Sequence, residues 1–269
     1  MHARDHRNDV VRRMPQTGRR QFCVIACHVL WRELCFYAAQ SPHRFMFRFL
    51  EQGLHNTPEE LRASLQRTID EEDGEHDAVL LGYGLCSNGM VDIEARTTPL
   101  VCARAHDCIT FLLGSKERYR EYFDTHPGTY WYSPGWIEDS PMPGKERYES
   151  TLQHYIDLYG EDSARYLMET TENWMQKYGL ATYVDLGVGD SEAYREYTRA
   201  CAEWLDWECD FQEGDPALLK NLLEGNWDDE DFLIVPPGYR IEPSFDNRIV
   251  KAVSAKRGDE PPSQPAPGA

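Results

Sequence analysis

Asp77-Ala-Val-Leu-Leu-Gly82-Tyr-Gly-Leu-Cys-Ser-Asn-Gly89 is the stretch on which the fold reading turns. Its first half is apolar without polar alternation, the pattern of a strand covered on both faces, as in a parallel sheet packed between helices. Its second half is too rich in glycine to continue a strand, so the chain turns there. Cys86 sits in that turn. The glycines carry neither the order of a dinucleotide-binding loop nor the lysine of a nucleotide phosphate loop. They serve instead to permit unusual backbone angles around Cys86 and a close approach to a ligand. Gly84 and Asn88 are the expected contacts with a bound cofactor, with capping of the following helix as the alternative for Asn88.

The same grammar appears on either side. Upstream, Phe22-Cys-Val-Ile-Ala26 is a short apolar run that ends in Cys27-His28. An amphipathic stretch over 29–40 follows, stopped by Ser41-Pro42. Residues 45–50 form a second apolar run, expected at a sheet edge. Thr57-Pro58-Glu59-Glu60 reads as a helix start, with Thr57 capping and the acids at the positive end of the dipole. Downstream, Pro99-Leu-Val-Cys-Ala103 reads as a third buried strand. It empties into Arg104-Ala-His-Asp-Cys108 and a helical stretch over 109–123, broken at Gly114-Ser115. Three strands therefore end in a loop that holds a cysteine. Strands alternating with helices imply a mainly parallel sheet, and ligands of such sheets bind beyond the carboxyl ends of the strands. Cys27, Cys86 and Cys108 should converge there. Cys23 and Cys102 lie inside strand runs and read as core.

Residues 126–136 are aromatic and rich in turn formers, a structured loop expected to cover the crevice. Residues 147–177 are helical in pattern. From 181 the α/β rhythm returns: a strand over 181–185, a helix over 192–206, a weak strand over 207–212, a short helix over 216–223 and a final strand, Phe232-Leu-Ile-Val235. Gly187-Val-Gly189 reads as a turn. The expected architecture is α/β: mainly parallel sheets with flanking helices, in two Rossmann-like halves joined by a helical insert. The domain spans 21–250, with halves at about 21–125 and 180–250 and the insert at 145–178. An Arg-rich arm over 1–20 and a Pro-rich tail over 251–269 are expected to be disordered.

The chain has 269 residues, with 28 Lys and Arg against 46 Asp and Glu, a formal net charge of −18. Nucleic-acid binding relies on clustered cations, so this balance argues against a nucleic-acid partner. An anionic lipid surface would repel the same charge, and no run of about 18 apolar residues exists to cross a membrane. No secretion signal precedes the eight cysteines, so the expectation is a cytoplasmic protein without a disulfide framework.

Thiolates bind zinc and iron–sulfur clusters, and imidazole binds zinc. Cys27, Cys86 and Cys108 are the candidate metal ligands, with zinc and a four-iron (4Fe–4S) cluster both open as the centre. His106 is a fourth ligand or an acid–base group, and Asp107 beside it either orients the imidazole or caps the next helix. These two residues are the catalytic candidates. His28 reads as a bystander. Two metal-free alternatives remain: a small-molecule-binding protein with buried thiols, and a thiol enzyme with His106 as base.

Together these residues resemble the uncharacterised family catalogued as domain of unknown function 1638. The motifs that carry the resemblance are Ile25-Ala-Cys27, Glu51-Gln-Gly-Leu-His-Asn-Thr-Pro58, Leu81-Gly-Tyr-Gly-Leu-Cys-Ser-Asn-Gly89, Arg104-Ala-His-Asp-Cys108, Leu113-Gly-Ser115, Pro127-Gly-Thr-Tyr130 and Pro134-Gly-Trp136. The resemblance implies functional weight for Cys27, Cys86, His106, Asp107 and Cys108, and none for Cys23, Cys35, Cys102, Cys201 or Cys209. It also implies a setting beside corrinoid-dependent methyltransferase proteins. The expected function is thus a metal- or cluster-binding enzyme or accessory in methyl-group or corrinoid metabolism, acting on a small-molecule substrate.

Overall fold

Strand β3 (Ala78–Gly82), buried at every residue, is the middle of a five-stranded sheet in the computed structural model, which describes residues 18–256. Most of the Arg-rich arm (1–17) and the end of the tail (257–269) lie outside the described residues. The sheet order is β2 (Arg44–Leu50), β1 (Gln21–Cys27), β3, β4 (Leu100–Ala103), β8 (Phe232–Val235). The first four strands are parallel, and β8 runs antiparallel at the edge. The chain moves one way from β1 to β2 and the other way from β2 to β3. Right-handed crossovers then place helix α1 (Trp31–Ala38) and helix α2 (Pro58–Glu72) on opposite faces. The reversal point lies between β1 and β3, where an open α/β sheet forms its crevice. Helix α2 buries Leu61, Leu65 and Ile69. Thr57 precedes α2 without making a side-chain cap, and Pro58 with Glu59 and Glu60 supplies the start.

Gly114 ends helix α3 (Cys108–Leu113) in the left-handed region, and Ser115 caps helix α4 (Lys116–Thr125) by accepting from Arg118 N at 3.1 Å. The break expected at Gly114-Ser115 thus divides the stretch into two helices. The aromatic segment is not a loop. Thr129–Tyr132 forms strand β5, parallel to β6 (Leu180–Asp185), which is parallel to β7 (Glu208–Glu213). Proline and glycine on both sides mask a run of residues with high strand propensity. Helix α5 (Pro134–Asp139) comes at once after it. Helices α6 (Lys145–Tyr159) and α7 (Glu161–Thr171) lead back to β6, and α8 (Ser191–Leu205) joins β6 to β7.

The last strand departs from the two-half expectation. β8, reached through helix α9 (Ala217–Glu224), leaves the second sheet and pairs with β4. Phe232 and Val235 are buried there and cover an edge that no earlier strand fills. Strands β9 (Tyr239–Pro243) and β10 (Val250–Ser254) form an antiparallel hairpin, so the ordered chain passes the boundary expected at 250. The hairpin braces the loop after β3, through Asp92 N to Ile241 O at 2.8 Å and Ile241 N to Ile93 O at 2.9 Å.

Candidate functional site

The carboxyl ends of all four parallel strands open into one cleft of about 840 Å³. β1 contributes Cys27, β2 leads to Gln52, His55 and Asn56, β3 to Tyr83, Cys86 and Ser87, and β4 to His106, Asp107 and Cys108. The opposite wall is built from β5 and the helical segments after it: Tyr130, Trp131 and Trp136, with Arg147, Trp174 and Tyr178. The aromatic segment thus faces the crevice as a strand and a helix, not as a loose lid.

The loops after β3 and β4 are held together by their backbones. Leu85 N donates to Ala105 O at 2.8 Å and Cys86 N to His106 O at 2.9 Å. This approach explains Gly84, where a Cβ would lie 2.5 Å from Asp107 N. Cys86, Ser87 and Asn88 then adopt φ of 46°, 55° and 68° in succession. Three L-residues in the left-handed region cost about 1 kcal/mol or more each, and such strain concentrates at functional sites. Arg62 holds the turn by donating to Asn88 O at 3.2 Å. Gly84 and Asn88 therefore serve the backbone and do not line the cleft, whereas Ser87 does. Across the cleft, α5 rests on the turn after β1 so closely that a Cβ on Gly135 would lie 1.8 Å from Val29 O.

Two of the three thiols are buried and the third, Cys86, is half-buried. Cys27 is 7% and Cys108 8% exposed. Burial pushes the Cys27 thiol up to about 11, and burial first, then the neighbouring Asp107 and thiols, pushes Cys86 and Cys108 further. Tyr83 stands among them: burial, then Cys27, Cys86 and Cys108, raise its phenol far above the ordinary range. The Tyr83 hydroxyl and Trp136 Nε1 are both buried and meet no oxygen or nitrogen acceptor. The first lies beside Cys27 and the second beside Cys108.

Asp107 caps α3, its Oδ1 accepting from Ile109 N at 3.0 Å, and its Oδ2 accepts from Tyr119 Oη at 2.7 Å. Burial nevertheless raises its carboxyl above the usual value. His106 is exposed at the cleft mouth, 6.3 Å from the Tyr119 ring centroid, and makes no hydrogen bond to Asp107. His28 turns away to Asp139 of α5, 2.6 Å from Nδ1 to Oδ1. His55, which lies within a family motif but carries no role assigned from sequence, is in the cleft 5.8 Å from the Trp136 ring, and burial lowers its pKa. Its signal is positional: it comes after the end of β2 as the cysteines come after theirs. Among the described residues, Cys23, Glu72 and His76 are the one group of three such side chains whose ligand atoms all lie within 4.8 Å of one another, so the three cleft sulfurs are spread more widely. None of the eight cysteines forms a disulfide.

The family model described as a protein of unknown function, DUF1638, matches residues 49–223, and the chain belongs to that family. The match includes His55, Cys86, His106 and Cys108; Cys27 precedes it. No curated protein and no solved structure matches the chain.

Proposed function

We propose that this family member holds a metal centre on Cys27, Cys86 and Cys108, in a cleft that seats a small-molecule substrate beside it. One observation carries the reading: three thiols from three strand ends, two buried and one half-buried, surround Tyr83, and two adjacent buried donors, Tyr83 Oη and Trp136 Nε1, face no acceptor better than a thiol. A neutral thiol is a weak acceptor, whereas a thiolate is a strong one. Metal binding removes the thiol protons and leaves charged sulfurs for both donors to meet. The donors then hold the ligands in place and temper their basicity.

The spacing favours a 4Fe–4S cluster over zinc. Thiolates on one zinc lie about 3.8 Å apart, from bonds near 2.3 Å in a tetrahedron. The cleft thiols do not all fall within 4.8 Å, and in a cluster each cysteine holds a different iron. When bound, a centre with three protein ligands supplies an open Lewis-acidic position. The chain's own residues do the rest. His55, with Gln52 and Asn56, offers polar contacts at the end of β2, and the aromatic wall excludes water. Asp107, fixed by Tyr119 and Ile109 N, keeps α3 and Cys108 in position. His106 at the mouth is placed for proton exchange with solvent.

A metal-free thiol enzyme fits less well. Burial keeps the three thiols protonated near neutral pH, and among the described residues no histidine hydrogen-bonds any of them. For the setting we propose the cytoplasm and service to methyl-group or corrinoid metabolism, as enzyme or accessory. The family resemblance supports that setting, and no helix among the described residues is long and apolar enough to cross a membrane. The test is visible absorption and acid-labile sulfide on protein purified without oxygen. A cluster gives a broad visible band with sulfide, and zinc gives neither but registers in elemental analysis. Protein that holds no metal and takes up neither iron with sulfide nor zinc would contradict the proposal.

A further inference from the structure

Away from the cleft, Cys23, Glu72 and His76 bring a sulfur, a carboxylate oxygen and an imidazole nitrogen within 4.8 Å of one another. Cys23 is on β1, Glu72 is the last residue of α2, and His76 lies just before β3. All three are shielded: Cys23 is 0% exposed, and the side chains of His76 and Glu72 are 4% and 9% exposed. Cys23 is four residues from Cys27, about 13 Å along the strand, so the group is separate from the cleft.

Its surroundings orient each ligand atom. Arg48 Nε donates to Glu72 Oε1 at 2.7 Å, which leaves Oε2 facing His76 Nε2 at 2.8 Å. On the far side of the ring, the Gln21 side-chain amide lies 3.5 Å from His76 Nδ1. With no ion bound, Nε2 carries the proton and donates to Glu72 Oε2, and Nδ1 accepts from the amide nitrogen. An ion on Nε2 would need the proton on Nδ1, where the amide, turned over, presents its oxygen as acceptor. Ligating carboxylates and imidazoles are held by outer contacts of this kind.

We propose that Cys23, Glu72 and His76 form a structural zinc site. Sulfur, nitrogen and oxygen donors together suit this borderline-soft ion, and water completes the tetrahedron. One thiolate and one carboxylate offset the charge of the ion, and Arg48, which shares the carboxylate, is 46% exposed so that its own charge is met by solvent. On binding, the Cys23 thiol proton leaves to solvent, and the proton of a neutral imidazole moves from Nε2 to Nδ1. Tetrahedral spacing asks the Nε2···Oε2 contact to open by only about half an ångström. The ion fastens the end of α2 and the start of β3 to β1. This crossover sets the spacing of the strands that carry Cys27 and Cys86.

The experiment uses the full chain carrying Cys27→Ser, Cys86→Ser and Cys108→Ser, which removes the cleft thiols. The protein is stripped with a chelator and titrated with zinc alone against a chromophoric competitor. The expected result is one equivalent bound with a rise in melting temperature. Adding Cys23→Ser or His76→Ala should weaken that affinity at least a hundredfold. No uptake, or uptake that survives both additions, overturns the site. Where the triple variant does not fold, total metal of the wild-type protein is compared with that of Cys23→Ser. Loss of one zinc per chain with the cleft metal retained supports the site, and an unchanged total overturns it.

Discussion

The carboxyl ends of the two parallel sheets look alike in sequence and differ in what they leave unsatisfied. At the end of β6, Asp185 accepts from Gly187 N at 2.8 Å, from Ser191 Oγ at 2.8 Å and from Arg195 Nη2 at 2.9 Å. Burial alone would raise its carboxyl, but these donors outweigh burial and hold it below the usual range. Asp185 is thus satisfied by the loop and by α8, although the Tyr183 hydroxyl earlier on β6 is buried without a partner. The loops after β1, β3 and β4 do the reverse: they gather two buried thiols and a half-buried one, and leave Tyr83 Oη, with Trp136 Nε1 of the facing α5, no acceptor better than a thiol. A strand-end loop that closes its own hydrogen bonds is a turn. One that gathers thiols and leaves buried donors over is where the proposed centre is to be sought.

The contrast can be broken at several points. The largest effect is expected for Gly135→Ala, because the new Cβ would lie 1.8 Å from Val29 O and α5 must lift from the turn after Cys27. Urea unfolding should show a loss of about 3 kcal/mol or more. A loss below about 0.5 kcal/mol would mean that the aromatic wall is not fixed to the thiol side.

Glu33 on α1 provides the next. It is 0% exposed with neither oxygen bonded, and burial raises its pKa from 4.5 to about 7. A carboxyl whose folded pKa is raised keeps the full stability of its neutral form below the unfolded value. It then loses stability as pH climbs from about 4.5 to about 7, by about 3 kcal/mol in all. Glu33→Gln should remove that decline, so melting temperatures at pH 5 and pH 8 converge. An unchanged slope would place the titration elsewhere.

Asp185→Asn should cost about 2 kcal/mol, because Arg195 loses its partner and the loop its acceptor. A neutral result would undo the distinction between the two loops. The smallest effect is expected at His106→Ala, whose exposed ring is removed while its backbone carbonyl keeps the bond from Cys86 N. Stability should move by less than about 0.5 kcal/mol, and a larger loss would make the residue structural.

Much of this is legible where the signal is local. The apolar runs of β1, β3 and β4 announce a buried parallel sheet, and their position before Cys27, Cys86 and Cys108 points to one edge. The failures are non-local. Nothing in Phe232-Leu-Ile-Val235 says that it pairs with β4, because a buried strand carries no label for its neighbour. Thr129-Tyr-Trp-Tyr132 is masked by the turn formers around it. Gly84 reads as a ligand contact, but its missing Cβ makes room for the backbone of Asp107, a contact between distant loops. That Tyr83 and Trp136 meet no oxygen or nitrogen acceptor is decided only once the elements pack.

The most direct measurement is metal stoichiometry in protein purified without oxygen, compared between wild type, Cys86→Ser and Cys201→Ser. Cys86 lines the cleft, whereas Cys201 is buried on α8 in the core of the second sheet. A serine hydroxyl stays protonated near neutral pH and replaces a thiolate ligand poorly. The account predicts stoichiometric cleft metal in wild type and Cys201→Ser, lost in Cys86→Ser while far-UV circular dichroism stays the same. Equal metal content in wild type and Cys86→Ser would contradict it.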